Sequence, residues 1–218
     1  MDKADGQGER TTGNPASAVQ GAATRKAIVA ATIAIIGERG WDTVKTRAVA
    51  ERAGVPHGAV SYHFAGKGDL LRVAATEAVT QMFAAPIALA RAAGGVAELL
   101  DGTLGWYSAE GVNDPSVTVL VEVLRAAAHD DTLRDRLAAE LRAYRAAITD
   151  LVERDQRRGV ITARPAPAAV AVVIAALLDG LLVHLLVDAD LDAGDAATTI
   201  RALLFTEPDG TGPADATA

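Results

Sequence analysis

The chain has 218 residues, a formal net charge of −7 and no cysteine, which excludes disulfides, thiolate zinc sites and cysteine nucleophiles. Half of the residues are apolar but only 4 % are aromatic, and alanine, the residue of highest helix propensity, is abundant. Because no stretch of useful length alternates with period two, the sequence predicts an all-α fold without a sheet.

Charge is distributed unevenly along the chain. Residues 24–72 carry eight basic and four acidic side chains, a net charge of +4, whereas residues 73–218 carry 11 basic and 21 acidic ones. A basic segment, residues 24–72, followed by an acidic remainder indicates that only the basic segment binds a polyanion such as nucleic acid.

The two ends of the chain have the composition of disordered tails. Residues 1–23 and 207–218 are rich in Gly, Ala, Ser, Thr and Asp. The first of them also lacks the apolar run of a secretory leader, so we expect a cytoplasmic protein.

Four helices are predicted in the basic segment. The first runs from about Thr24 to Glu38 with an apolar face and ends at Gly40, and the second covers about Thr46 to Ala53. Gly54 suits a left-handed C-terminal position, and Pro56 opens a third helix that ends near Phe64. A fourth helix begins at about Lys67 and ends near Phe83.

The second and third helices, joined by a short turn that contains glycine, are typical of a DNA-binding helix-turn-helix. Gly58 and Ala59 have small side chains, so the backbone of the third helix can approach a DNA groove closely. His57, Ser61, Tyr62 and His63 supply hydrogen-bond donors and acceptors. Similar helix pairs also occur in proteins that do not bind DNA, so the spacing alone leaves both interpretations open.

The run GWDTVKTRAVAERAGVPHGAVSYHFAGKGDLL resembles the N-terminal domain of the tetracycline-repressor (TetR) family of transcriptional regulators. The resemblance covers roughly residues 24–72. The matching positions are Gly40-Trp41, Val49-Ala50, Ala53-Gly54-Val55, Gly58, His63-Phe64, Lys67 and Leu70-Leu71. It implies a three-helix DNA-binding domain followed by a helical domain that binds a ligand and forms a homodimer.

The resemblance also implies roles for individual residues. Thr46 and Arg47 match positions that contact phosphate and sometimes a base, and Lys67 matches a phosphate contact. His57, Gly58 and Ala59 match positions that read bases. Tyr62 and His63 match positions that contact or approach the DNA backbone. Structural alternatives remain for two of them: His63 could be a packing residue, and Tyr62 could lie on the surface of the first helix. Trp41 and Phe64 are interpreted as core.

Two positions depart from the family's usual pattern. Lys45 stands where a Ser or Thr commonly caps the second helix, a loss worth about 1 kcal/mol unless Thr43 or Thr46 substitutes. Ser61 stands where many members carry a tyrosine that contacts phosphate. The share of affinity that each remaining contact carries is therefore open.

Residues 73–206 predict further helices, broken at Pro86, Gly94-Gly95, Asn113-Asp114-Pro115, His129-Asp130-Asp131 and Arg158-Gly159. One is a long amphipathic helix with an apolar face running from Leu133 to Val152. The most apolar segment, residues 167–187, has the length of a membrane span, but Asp179 and His184 favour a buried helix of a soluble protein.

In the resembled family that helix and the last one form a four-helix dimer interface, and Ile200, Leu203, Leu204 and Phe205 would lie on the last helix. The family's second domain usually encloses a pocket for a small-molecule effector. The candidate lining residues are Trp106, Tyr107, Glu122, Arg125 and His184, each of which could instead be a core or surface residue. The low aromatic content argues against a flat cage of stacked rings.

The motifs of catalysis and cofactor binding that we considered are missing: there is no P-loop, dinucleotide fingerprint, Gly-x-Ser-x-Gly or His-Glu-x-x-His. The four histidines are scattered, so we expect no metal site and no cofactor. The sequence therefore predicts a ligand-responsive repressor that binds a palindromic operator as a homodimer. Two alternatives remain: a small-molecule carrier with a vestigial DNA-binding head, and a helical enzyme using Glu122, Asp179 or His184.

Overall fold

The computed structural model describes residues 15–109, 113–188 and 190–205, and this part of the chain is helical without any strand. The helices are α1 (Pro15–Arg39), α2 (Thr46–Ala53), α3 (His57–His63), α4 (Lys67–Ala92), α5 (Val96–Ala109), α6 (Pro115–Ala127), α7 (Asp131–Arg157), α8 (Pro167–Val187) and α9 (Ala193–Leu204). A 3₁₀ turn, Trp41–Thr43, follows α1. The all-α prediction is confirmed.

The first helix begins earlier than the sequence predicted. It starts at Pro15 instead of Thr24, so the expectation of a disordered tail is wrong for residues 15–23, and residues 1–14 lie outside the described residues. A proline is favourable in the first turn of a helix, and the alanines that follow have high helix propensity. The second predicted tail, residues 207–218, also lies outside the described residues.

Helix α4 continues through Pro86, where the sequence predicted a break. A proline inside a helix costs about 3 kcal/mol because it removes a hydrogen bond and crowds the preceding turn. Ile87 and Ala90, just beyond the proline, are buried in the core, and their packing offsets this cost.

The other predicted breaks are confirmed. They occur at Gly94-Gly95, at residues 113–115, at residues 129–131 and at Arg158-Gly159. Two of them are followed by capped helices, because Asp114 accepts from the Ser116 N–H before α6 and Asp130 accepts from the Leu133 N–H before α7.

Two hydrophobic cores share the longest helices. The first core joins α1, α2 and α3 to the beginning of α4, the end of α6 and the beginning of α7, and the second joins the end of α4 to α5, the beginning of α6, α7, α8 and α9. The first core is called the head core here and the second the body core. Because α4, α6 and α7 contribute to both, the head is packed directly onto the body.

The turn between α2 and α3 has the geometry that the sequence predicted. Gly54 has φ +65° and ψ +31°, the left-handed conformation of a helix C-cap, and its N–H donates to the end of α2. Val49, Val60 and Phe64 bury their side chains beneath the turn, which fixes the angle at which α3 leaves the head.

Three helices are long and apolar enough, by length and composition alone, to cross a membrane: Ala18–Arg39, α4 and α8. In the fold all three contribute buried side chains to the two cores. Packing against other helices accounts for the apolar character of those buried faces.

Candidate nucleic-acid interface and internal cavity

The outer face of α3 is exposed and polar, and its side chains around Gly58 are small. His57, Gly58, Ser61 and Tyr62 are exposed, whereas Val60 faces the head core. No heavy atom beyond the helix backbone and the neighbouring residues lies within 4 Å of the point where a Cβ on Gly58 would stand. This face therefore offers hydrogen-bonding groups on a helix whose backbone another molecule can approach closely.

Tyr62 and His63 stand next to each other at the end of α3. Their rings meet edge to face with centroids 5.0 Å apart. Tyr62 is 84 % exposed, so it does not lie on the surface of α1 as one alternative allowed. His63 is half-buried, and its Cε1 lies 4.0 Å from the Cβ position of Gly21 on α1, so part of its ring does pack.

The N-termini of α2 and α4 flank this face, and neither has a side-chain cap. Lys45 precedes α2 without forming a capping hydrogen bond, and Thr43, its suggested substitute, donates to the Gly40 carbonyl instead. Gly66 precedes α4 and likewise provides no cap. Both helix ends thus present N–H groups and a positive dipole end, the arrangement that favours phosphate.

Basic side chains stand at both of these helix ends. Arg47 is exposed in the first turn of α2 beside the half-buried Thr46. Lys67 is exposed at the start of α4, where its Nζ also donates to the Asp42 carbonyl at 3.4 Å.

Two other arginines of the head have partners within the protein. Arg52 pairs with Glu38 at 2.6 Å, and the hydrogen bond it donates lowers the pKa of that carboxyl. The guanidinium of Arg25 lies 4.6 Å above the Phe64 ring. Arg47 and Lys67 form no ion pair among the described residues, so both are available to a polyanion.

A second set of predicted residues lies where the head meets α6. Glu122 accepts a hydrogen bond from the Trp41 N–H at 3.1 Å and pairs with Arg125 at 3.0 Å, and Arg125 lies 4.0 Å from Asp42. Glu122 and Arg125 thus join the body to the head, and their role in a ligand pocket stays a prediction. Trp41 is 81 residues from Glu122 in the chain, so no sequence pattern revealed this contact.

A cavity of about 140 Å³ lies between helices of the body and is open to solvent beside Trp106 and Asp179. It is lined by Met82, Phe83 and Pro86 of α4, Thr103, Trp106 and Tyr107 of α5, Ser116, Val117 and Leu120 of α6, Tyr144 of α7, and Asp179 and Leu182 of α8. Trp106 and Tyr107 were predicted as lining residues and Asp179 was named only for the enzyme alternative, whereas Phe83 and Tyr144 were missed. We call this space the body cavity.

Half of the protein's eight aromatic residues line the body cavity, and the low aromatic content had argued only against a flat cage of stacked rings. The Phe83 and Tyr144 centroids are 6.4 Å apart with planes inclined at 61°, and those of Trp106 and Tyr107 are 5.7 Å apart at 58°. The ring planes are therefore inclined to each other and do not form a parallel stack. The Tyr107 hydroxyl donates to the Leu178 carbonyl at 3.1 Å, which holds α5 against α8.

Asp179 is the charged group of this lining. Burial raises the pKa of its carboxyl, and the more distant charge of Arg145 lowers it in part. Burial, with the negative charge of Asp179, also raises the pKa of Tyr107 and raises that of Tyr144 to about 12. Among the described residues the carboxylate has neither a hydrogen bond nor an ion pair.

His184, the last predicted pocket residue, lies outside the body cavity. It is exposed on α8 and lines a wide groove of about 590 Å³ between α8 and α9. Glu122, Asp179 and His184, which one alternative assigned to an enzyme, consequently lie at three separate places. The described residues contain no group of three His, Asp or Glu side chains arranged to hold a metal ion.

An all-α fold that presents an exposed helix-turn-helix on a helical body defines a class of DNA-binding regulators. Residues 28–74 match the family model of bacterial regulatory proteins of the tetR family, and residues 96–207 match that of the C-terminal domain of BetI-type transcriptional repressors. Together the two models cover most of the chain, which therefore belongs to the TetR family of transcriptional regulators. No curated protein matches it significantly.

Solved structures of other regulators have the same fold. A TetR-family regulator from Rhodococcus sp. is 26 % identical and has a TM-score of 0.61, with 85 % of this chain and 100 % of that one covered. A regulator from Streptomyces coelicolor A3(2) is 24 % identical at a TM-score of 0.64, covering 84 % and 99 %. One from Saccharomonospora viridis, solved in complex with choline, is 20 % identical at a TM-score of 0.69, covering 84 % and 95 %.

Family membership establishes the general role of the protein. It is a regulator of transcription with a DNA-binding helix-turn-helix and a ligand-binding body. TetR-family regulators bind DNA and small-molecule effectors, typically as dimers, and they are generally not enzymes.

Proposed function

We propose that the protein is a cytoplasmic, ligand-responsive repressor that binds a palindromic operator as a homodimer and is released by a small molecule held in the body cavity. The observation that carries the proposal is the outer face of α3, which is exposed, polar and open above Gly58. His57, Gly58, Ala59 and Arg47 would face base edges, and Ser61, Tyr62 and His63 would lie along the groove. Thr46 and Lys67 would contact phosphate.

The exposed side of α8 supports the homodimer. Large apolar side chains cover it without a partner in the single chain: Val172, Val173, Leu177, Val183, Leu186 and Val187. A continuous apolar surface of this kind marks an interaction site, and α9 extends it with Leu203. A second copy of α8 and α9 would cover both in a four-helix interface and would relate the two α3 helices by a twofold axis.

Helix α6 offers a physical connection between the effector and DNA. Its first turns carry Ser116, Val117 and Leu120 on the body cavity, and Glu122 on the same helix accepts from Trp41 in the head. A ligand that prefers one position of α6 would change the position of the head. By linkage, DNA would then weaken ligand binding by the factor by which the ligand weakens DNA binding.

The test is selection of binders from a random double-stranded DNA pool, followed by titration of the enriched sequence at several salt concentrations. We expect an inverted repeat whose half-sites lie about one helical turn apart, with affinity that falls steeply with salt. Lys67→Ala should weaken binding to all sequences alike and reduce the salt slope by about 1, whereas His57→Ala should alter base preference. No enrichment by the dimer would contradict the proposal and favour a carrier with a vestigial head.

A further inference from the structure

The 3₁₀ turn Trp41–Thr43 contacts both helix α6 and the first residue of α4. On one side, the Trp41 N–H donates to the Glu122 carboxylate of α6 at 3.1 Å. On the other side, the Asp42 carbonyl accepts from the Nζ of Lys67 at 3.4 Å. Because Trp41 and Asp42 are adjacent in the chain, one short piece of backbone connects a carboxylate of the body to the lysine that we expect to contact phosphate.

The turn has little internal support of its own. Short 3₁₀ segments have poorer hydrogen-bond geometry than α-helices, and the bond from the Val44 N–H to the Trp41 carbonyl is 3.3 Å long. The Thr43 hydroxyl donates to the Gly40 carbonyl, which ties the turn only to the residue before it. The Trp41 side chain is half-buried against the head core, but its backbone N–H is held by Glu122. The position of the turn backbone therefore depends on α6.

Gly40 permits the close approach of the Glu122 carboxylate. It has φ +82°, a conformation that favours glycine, and a Cβ at this position would lie 3.1 Å from the Glu122 Oε1. A larger residue would therefore both strain the backbone and crowd the carboxylate. The hydrogen bond that Gly40 makes possible has an ionised acceptor, and such bonds are stronger than neutral ones. The Gly40-Trp41 pair is thus shaped to receive a carboxylate from α6.

Glu122 is itself held in one orientation. Its Oε1 accepts from the Trp41 N–H, while its Oε2 accepts from the Nε of Arg125, one turn further along α6, at 3.0 Å. The Glu122 side chain is 20 % exposed, so water competes weakly for these two bonds. Because both carboxylate oxygens have a partner, the side chain cannot rotate without losing one of them.

The contact with the turn orders a side chain that would otherwise be mobile. A lysine has several rotatable bonds, and fixing them on binding costs conformational entropy. The Asp42 carbonyl keeps the Lys67 ammonium at the start of α4, where no side chain caps the helix and a phosphate would bind. A lysine that is ordered before DNA arrives loses less freedom on binding. The DNA affinity supplied by Lys67 should therefore depend on the position of the Asp42 carbonyl.

We propose that Glu122 is a positioning residue for DNA binding, which holds Lys67 at its phosphate through the Trp41 N–H and the Asp42 carbonyl. Arg125 orients Glu122 in turn. This inference rests on the proposed function in one respect, that Lys67 contacts phosphate. It places a determinant of DNA affinity on α6, in a residue whose own negative charge disfavours contact with DNA.

The test compares Glu122→Ala with Glu122→Gln in the full-length protein. Binding of a mixed-sequence DNA duplex at low salt is measured by fluorescence anisotropy, because such binding depends on phosphate contacts and needs no operator. Both variants remove a negative charge, which by itself should raise the affinity for a polyanion. Glu122→Gln keeps an oxygen that can accept from the Trp41 N–H, so it should bind at least as tightly as the unchanged protein. Glu122→Ala loses this acceptor and should bind roughly threefold more weakly, and equal or tighter binding would overturn the proposal.

A milder variant is used if Glu122→Ala does not fold by circular dichroism. Glu122→Asp keeps the charge but is shorter by one methylene, so its carboxylate cannot reach the Trp41 N–H as closely. We expect weaker DNA binding from this variant as well. Unchanged affinity would overturn the proposal.

The matched control is Glu98→Ala. Glu98 also accepts a hydrogen bond from a backbone N–H, that of Gly94 at 2.7 Å, but it does so at the junction of α4 and α5. This variant loses the same charge and the same kind of hydrogen bond, so it should not weaken DNA binding. Equal weakening by Glu98→Ala and Glu122→Ala would mean that the loss follows from general destabilisation, and it would overturn the proposal.

A double-mutant cycle assigns the effect to Lys67 and separates this inference from the proposed function. Lys67→Ala alone should weaken binding roughly tenfold at a salt concentration of about 0.05 M. Adding Glu122→Ala should then cause no further loss, because the lysine that Glu122 positions is gone, whereas additive losses would overturn the proposal. If Lys67→Ala weakens binding and Glu122→Ala does not, the inference fails and the phosphate contact stands. If Lys67→Ala has no effect, the phosphate contact fails as well.

Discussion

The α3 surface and the body cavity are assembled from the chain in opposite ways. The α3 surface comes from one short stretch, residues 46–67, in which each residue is positioned by its own helix or turn. The body cavity takes its walls from five helices, and its members lie between Met82 and Leu182. Local sequence can therefore specify the first site, while packing of distant segments produces the second.

The α3 surface and the body cavity also differ in the chemical groups that they present to a binding partner. The α3 surface presents small and polar groups to solvent, which suits a large polyanion that brings its own shape. The body cavity is apolar and aromatic with one acid, which suits a small molecule that fills it. A substitution on α3 should thus change DNA binding without changing stability, whereas a substitution in the cavity should change stability even without a ligand.

The largest effect is expected from Gly58→Leu. The Cβ position is open in the free protein, so we expect no loss of folding stability and a gain of up to about 1 kcal/mol from helix propensity. Against DNA the added side chain would overpack a close contact at a cost of about 1–3 kcal/mol, or roughly 5- to 150-fold in affinity. Fluorescence anisotropy with the selected operator measures this effect.

The matched control for that experiment is Gly105→Leu on α5. Gly105 is also exposed in a helix with open space at its Cβ position, but it lies in the body. Equal losses of DNA affinity in the two variants would show that α3 does not enter the groove.

The next effect concerns the contact that joins the two regions. Glu122→Ala removes the acceptor of the Trp41 N–H, and an unsatisfied part-buried donor costs about 1–3 kcal/mol. Each kcal/mol lowers the melting temperature of a chain of this size by about 2–4 °C. Arg125→Ala, which removes only partly exposed ion pairs, should cost about 0–1 kcal/mol. Identical melting curves for the two variants would mean that the Trp41 hydrogen bond adds nothing to stability.

A smaller effect is expected within the cavity from Tyr107→Phe. This change deprives the Leu178 carbonyl of its donor and should cost about 1 kcal/mol by urea denaturation. Tyr144→Phe removes a hydroxyl that makes no hydrogen bond to the described residues, and we expect a change within about 0.5 kcal/mol. A larger loss for Tyr144→Phe than for Tyr107→Phe would contradict the structural role of the Tyr107 hydroxyl.

The smallest effect is a pH dependence of stability due to Asp179. Burial raises the pKa of this carboxyl in the folded protein, so between its unfolded value of about 3.9 and the raised value the folded state binds more protons. Stability therefore falls as the pH rises through this window and stays reduced above it. Because the residue is partly exposed, Asp179→Asn should gain no more than about 1 kcal/mol at pH 7 and nothing below about pH 3.5. A gain that is equal at both pH values would refute this interpretation.

The DNA-binding region was predictable from the sequence because its signals are local. Gly54 and Pro56 form the turn between α2 and α3, and Gly58 lies on the exposed face of α3. The sequence predicted these positions. The placement of Trp106 and Tyr107 on the cavity was also anticipated. Glu122 and Arg125 lie at the junction with the head and His184 lies on the groove between α8 and α9, since a polar side chain in an apolar helix can face a cavity, a neighbouring helix or an interface.

The sequence by itself determined the helical fold, the position of most breaks and the helix-turn-helix, because propensities, caps and glycine conformations act over a few residues. Only the tertiary structure decided that α4 continues through Pro86, that Glu122 holds Trp41 and that four of eight aromatic rings gather around Asp179. These features depend on contacts between residues that are distant in the chain, or on packing that outweighs a local penalty. No pattern of neighbouring residues encodes them.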